Sequence, residues 1–118
     1  MKRTHHNLIV WQEAITLVKE VYCITKSFPK EETFGLTSQI RRAAISVPCN
    51  IAEGAARTSN KEMLQFLSIA RGSLSELETQ IIISRELGYL KEDTELKNKI
   101  DTIFSLLGGL INSIRKKA

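Results

Sequence analysis

The chain has 118 residues, a formal net charge of +4, and 42% hydrophobic against 25% charged residues. These are the values of one globular domain that buries a core without disulfides or metal. No apolar run approaches the roughly 18 residues that span a bilayer, and the Met-Lys-Arg-Thr-His-His start leads into no signal-peptide core. A single cytosolic domain over residues 1–118, with no membrane partner, is expected.

Charge is unevenly placed. Lys2, Arg3, Arg115, Lys116 and Lys117 supply five positive charges at the ends, expected to be flexible over residues 1–6 and 115–118, and leave twelve basic against thirteen acidic residues in the body. Attraction for a polyanion would therefore come from the ends or from local patches. Cys23 and Cys49 lie in no CxxC or Cys/His cluster and are expected as reduced, buried thiols.

The first helix is predicted from about Leu8 to Ser27, with Asn7 as N-cap and Trp11, Ala14, Ile15, Val18, Val21, Tyr22 and Thr25 at three and four spacing. Phe28-Pro29 stops it, and a short polar connection leads into a second helix at about Leu36. Pro48 removes a backbone hydrogen bond there, at a cost of about 3 kcal/mol in a helix interior. The helix either kinks or breaks; the apolar stripe keeps its phase from Ile40 and Val47 to Ile51, which favours the kink.

This second helix has two dry faces. Leu36, Ile40, Ala43, Val47, Ile51 and Gly54 fall on one side, and Ile45, Cys49, Ala52 and Ala56 roughly opposite. Between them run Arg42, Ser46, Asn50, Glu53 and Arg57. One face suits the chain's own core; the other implies a second subunit.

Ser59-Asn60-Lys61-Glu62 reads as a capping box that opens a third helix. Its core stripe is Leu64, Leu67, Ala70, Leu74, Leu77 and Ile81, and Gly88 stands where a left-handed residue would end it. A second line, Ser68, Gly72, Ser75 and Thr79, either admits a close neighbour or is solvated. Ile81-Ile82-Ile83 exceeds what one stripe buries, which again implies self-association.

Asp93 or Thr94 caps a fourth helix, with Leu96, Ile100, Ile103, Leu107, Leu110 and Ile114 as its stripe. Gly108-Gly109 costs about 1 kcal/mol per glycine, so tight packing is expected there. Four long helices on short links predict an all-α, antiparallel up-down-up-down four-helix bundle.

The residues for catalysis are few. His5 and His6 are the only histidines, so an ordered His base and the Glu-x-x-His ligands of di-iron bundles are both missing. Glu53, Glu76 and Glu78 could in principle make an acid/base pair, but Glu53 shares its stripe with Arg42, Asn50 and Arg57, and with Ser46, Gly72, Ser73 and Glu76 it reads better as part of a polar network at a helix or subunit seam. Ser46, Ser73 and Ser75 lack a nearby base. No phosphate loop, Walker motif or zinc pattern is present, so no catalytic residue, metal or cofactor is expected. The seven aromatic residues lie mainly on apolar stripes and form no evident base-stacking platform. For nucleic acid the candidates are Arg41, Arg42 and Arg57 with Lys2, Arg3, Arg115, Lys116 and Lys117.

Several blocks carry a family resemblance. Trp11 with Ala14, Phe28-Pro29, Glu32 with Phe34-Gly35-Leu36, Gln39-Ile40-Arg41-Arg42-Ala43, Ser46, Asn50-Ile51-Ala52-Glu53-Gly54, Phe66-Leu67, Ala70, Gly72-Ser73-Leu74 and Glu76-Leu77-Glu78 cover almost the whole chain. Together they resemble the four-helix-bundle proteins encoded in intervening sequences of bacterial 23S ribosomal RNA genes. Within these blocks the chain does not depart from the pattern; the basic C-terminus and His5-His6 are idiosyncratic.

The resemblance implies a bundle that assembles into a ring, a homopentamer, in a family without a settled biochemical activity. The accessory protein of diversity-generating retroelements is similar in architecture, a pentameric partner of a reverse transcriptase that also binds nucleic acid. By analogy the chain is expected to be a non-enzymatic scaffold for RNA, DNA or a nucleic-acid enzyme. The alternative is a structural protein-interaction module that makes no nucleic-acid contact.

Overall fold

The computed structural model describes residues 3–117. A 3₁₀ turn over Thr4–Asn7 precedes helix α1 (Ile9–Thr25), a second 3₁₀ turn over Lys30–Glu32 leads to α2 (Leu36–Ala55), and α3 (Asn60–Glu86) and α4 (Thr94–Lys117) complete the fold. Among the described residues there is no strand, so the chain is all-α with four helices. No helix among them is long and apolar enough to cross a membrane.

Asn7 is not the cap of α1. It closes the preceding 3₁₀ turn, so the extended N-cap position falls on Leu8, whose side chain has nothing to donate or accept. The Gln12 side-chain amide instead donates to the carbonyl of His6 at 2.7 Å and ties the turn to the helix. At the far end α1 stops at Thr25, two residues before the predicted Ser27; Phe28 N–H turns back to the Thr25 carbonyl.

Glu32 organises the connection that follows. Its Oε1 accepts the Leu36 backbone N–H at 3.1 Å, capping α2, while its Oε2 accepts the Tyr89 hydroxyl at 2.9 Å. A Cβ on Gly35 would stand 2.9 Å from that Oε1, which explains the glycine beside the capping carboxylate. Phe28 and Tyr89 stack at 5.7 Å just behind.

Helix α2 runs unbroken through Pro48, the continuous alternative. Ser59 Oγ accepts the Glu62 N–H at 3.1 Å, and the Glu62 carboxylate folds back on the Ser59 hydroxyl rather than on its backbone, a variation on the predicted box. Gly88, at φ +80°, ends α3. Gly88 N–H reaches the Arg85 carbonyl and Tyr89 N–H the Ser84 carbonyl, the paired bonds of a left-handed helix terminus. Asp93 Oδ1 caps α4 through Leu96 N–H at 3.0 Å.

α1 packs on α2, α2 on α3, α3 on α4, and α4 closes back on α1. The core takes Ala14, Leu17 and Val21 from α1, Ile40, Val47 and Ile51 from α2, Leu67, Leu74 and Leu77 from α3, and Leu96, Ile103 and Leu107 from α4. In α4 the strict heptad spacing gives way at Leu110, which is half-buried beside a buried Ile111, while Ile114 beyond it is buried as predicted. A straight helix drifts about 20° per heptad against a 3.5-residue repeat, so over the two heptads from Leu96 the stripe turns by about 40°, enough to bring Leu110 to its edge. A Cβ at Gly72, Gly108 or Gly109 would meet nothing within 4 Å. The tight packing expected at Gly108-Gly109 is absent from the protomer, and the Ser68, Gly72, Ser75, Thr79 line is exposed.

Candidate interaction surfaces

The second dry face of α2 turns outward. Ile45 is 38% exposed, Cys49 and Ala56 are exposed and Ala52 is half-buried. With His5 and with Trp11, Ile15 and Val18 of α1 this face forms an open groove of about 290 Å³, lined almost wholly by apolar atoms. Cys49 and Cys23 are both exposed, against the expectation of buried thiols. Each lies on the side of its helix turned away from the core, Cys49 within the groove itself.

The polar stripe of α2 meets α3. Ser46 and Ser73 hydroxyls are 2.8 Å apart, and Asn50 Nδ2 donates to both the Ser46 carbonyl and its Oγ, at 2.8 and 2.9 Å. One step along, Gln39, Arg42, Ser46, Ser73, Glu76 and Gln80 border a polar cleft of about 300 Å³. Gly72 and Glu76 are exposed. Glu53 Oε2 and Arg57 Nη2 form an ion pair at 3.2 Å, and the Arg57 guanidinium lies 4.6 Å above the Phe66 ring. The structure thus joins Ser46, Asn50 and Ser73 in one network, and Glu53 with Arg57 in a second.

The basic candidates divide in the same way. Arg41 is engaged within the fold: its Nε donates to Thr25 Oγ1 at 2.8 Å and its guanidinium lies 4.5 Å over Tyr22. Arg42 is exposed, as are Arg3, Arg115, Lys116 and Lys117. The last three belong to the final turn of α4, where cations face the negative end of the helix dipole. Lys2 lies outside the described residues.

Sequence periodicity gave no sign of three features. Phe34 is 97% exposed, although the stretch around it holds nothing to mark it as different from the buried Phe28. His5, His6 and Trp11 gather their rings within 4.4 to 5.2 Å of one another; partial burial, then His6 and Arg3, hold the His5 imidazole below its ordinary pKa. Arg57 on Phe66 is the third, and its only signal is the small Gly54 three residues earlier. A Cβ there would meet Phe66 Cβ at 3.1 Å and the Met63 carbonyl at 3.2 Å.

No curated protein matches the chain by sequence. A family model matches residues 6–109, a span that takes in the outward groove apart from His5, both polar networks and all of the blocks around Asn50-Ile51-Ala52-Glu53-Gly54. The chain belongs to the 23S rRNA-intervening sequence protein family.

Proposed function

We propose that the protein is a non-enzymatic cytoplasmic bundle that assembles into a ring, a homopentamer, and serves as a scaffold for RNA, DNA or a nucleic-acid enzyme. Its helices run up-down-up-down. Gly54 approaches Met63 and Phe66 while Ser46 bonds Ser73, so residue numbers rise on α3 as they fall on α2. Trp11 shares a groove with Ala52 while Tyr22 meets Arg41, the same reversal between α1 and α2.

That direction carries the functional reading. It brings the start of α1, the end of α2, the start of α3 and the end of α4 to one end of a body 45 Å long. Arg3, Arg57, Lys61, Arg115, Lys116 and Lys117 collect there, and the acids near them, Glu53 and Glu62, are engaged with Arg57 and Ser59. The opposite end mixes Glu31, Glu86, Glu92, Asp93 and Glu95 with Lys26, Lys30, Arg85, Lys91 and Lys97 and has no such excess of cations. A near-neutral body therefore has one cationic pole, and repeating that pole around a ring adds weak phosphate contacts by avidity.

The test is binding of a structured RNA by the intact oligomer at low salt. Binding that weakens steeply with salt and is lost when Arg115, Lys116 and Lys117 become Gln supports the reading. No measurable binding at low salt overturns it. The exposed Phe34 and the unpartnered apolar groove favour a second reading, a module that holds a protein partner. A partner still co-purified after replacement of Lys2, Arg3, Arg115, Lys116 and Lys117 would favour it.

A further inference from the structure

Arg57 is a cation of the basic pole that is held in one place on an aromatic ring. Its guanidinium lies over the Phe66 ring at 4.6 Å and its Nη2 is tied to Glu53 Oε2 at 3.2 Å, yet 40% of its side chain remains exposed. Gly54 makes this geometry available, because a side chain at that position would push away the Phe66 Cβ and the Met63 carbonyl. The ion pair with Glu53 of α2 compensates the charge of Arg57, which weakens it as a phosphate clamp. What remains is a flat, oriented, weakly hydrated plane with one face on an aromatic ring.

We propose that Arg57, laid on Phe66, is a stacking surface for an unpaired base of single-stranded nucleic acid. Lys61 in the first turn of α3, with Arg115, Lys116 and Lys117 at the end of α4 on the same pole, supply the charges for the phosphates. Unpaired bases stack on aromatic rings and on guanidinium planes alike, whereas a duplex hides its base faces. This surface therefore adds selectivity for single strands to a pole that otherwise reads only charge. The inference rests on the nucleic-acid reading above, and its test separates the two.

The decisive variant is Arg57→Lys, which keeps the charge and removes the plane. Binding of a labelled, unstructured RNA of about 12 nucleotides and of the duplex of the same sequence is followed by fluorescence anisotropy across a salt series. Arg57→Lys is expected to weaken the single strand about tenfold, leave the duplex within about twofold and leave the salt slope unchanged. Phe66→Leu, which keeps apolar bulk beneath Arg57, is expected to show the same selective loss. Unchanged single-strand affinity in Arg57→Lys overturns the inference and leaves the Arg57 and Phe66 contact as a tie between α2 and α3. Equal weakening of both RNAs in the neutral variant Arg57→Gln, with Arg57→Lys like wild type, also overturns it, and makes Arg57 a phosphate contact. If the unaltered protein binds neither RNA at low salt, the nucleic-acid reading itself fails.

Discussion

Ser46 Oγ and Ser73 Oγ sit 2.8 Å apart at the middle of the α2 and α3 seam, and Asn50 Nδ2 donates to Ser46 from one turn along. Asn50 supplies only protons to this contact, so Ser46 can pass its own to Ser73 and all three groups are satisfied in a half-buried position. Ser73→Ala is expected to destabilise the protomer by about 1 kcal/mol. A double-mutant cycle with Ser46→Ala, read by urea denaturation, should return a coupling of about 0.5 to 1 kcal/mol. Additive losses would mean that water replaces the contact freely.

Glycines in the same protein should respond in opposite directions. At Gly54 the added methyl meets Phe66 Cβ at 3.1 Å and the Met63 backbone carbonyl at 3.2 Å, so α2 and α3 must move apart. Gly54→Ala is expected to cost about 1 to 3 kcal/mol despite alanine's better helix propensity. At Gly108 and Gly109 nothing lies within 4 Å, and replacement by alanine should stabilise by up to about 1 kcal/mol each. Urea midpoints of the three variants check this. A fall at Gly108 would place a second copy against α4.

The outward groove should govern self-association. Ile45 and Ala52 line it with Trp11, Ile15 and Val18, and covering an isoleucine contributes about 1.5 to 3 kcal/mol. Ile45→Asp with Ala52→Asp is expected to reduce the particle to the 13.3 kDa chain while leaving helical content unchanged. Sedimentation with circular dichroism measures both. A wild-type protein that already runs as a folded 13.3 kDa species would remove the groove's assigned role.

Glu20 offers a pH test. Partial burial raises its carboxyl pKa; Lys99, 3.8 Å away, opposes the rise, and Glu95, Asp93 and Glu13 add to it. A carboxyl whose folded pKa is raised loses its proton first in the unfolded chain, so its ionised form costs stability at neutral pH. That cost fades as pH falls through the folded value and is absent below the unfolded one. Glu20→Gln is therefore expected to raise the urea midpoint at pH 7 and to have little effect at about pH 4 or below. A variant less stable than wild type at pH 7 would show that the Lys99 contact outweighs burial.

Much of the fold was legible in the sequence because its signals are short-range. Ser59 with Glu62, Gly88, Asp93 and the apolar stripes of α2 and α3 act within a few residues of themselves, and the structure places these caps and stripes as their spacing indicates. The errors arose where a residue's role depends on something distant. Leu110 moved to the edge of its stripe beside Ile111 because two heptads from Leu96 rotate the stripe by about 40°, and Asn7 lost the cap to Leu8 because the preceding turn had already claimed it.

The sequence by itself determined which helix faces are apolar, where α3 begins and ends and where α4 begins, and that α2 has one face too many for its own core. Only the tertiary structure decided what meets those faces. It joined Glu32 to Tyr89, set Phe66 beneath Arg57 through the space left at Gly54, and left Cys49 and Phe34 exposed. Periodicity records the direction of a side chain about its own helix axis, whereas its partner depends on the rotation and axial offset of a second helix, which no local pattern encodes.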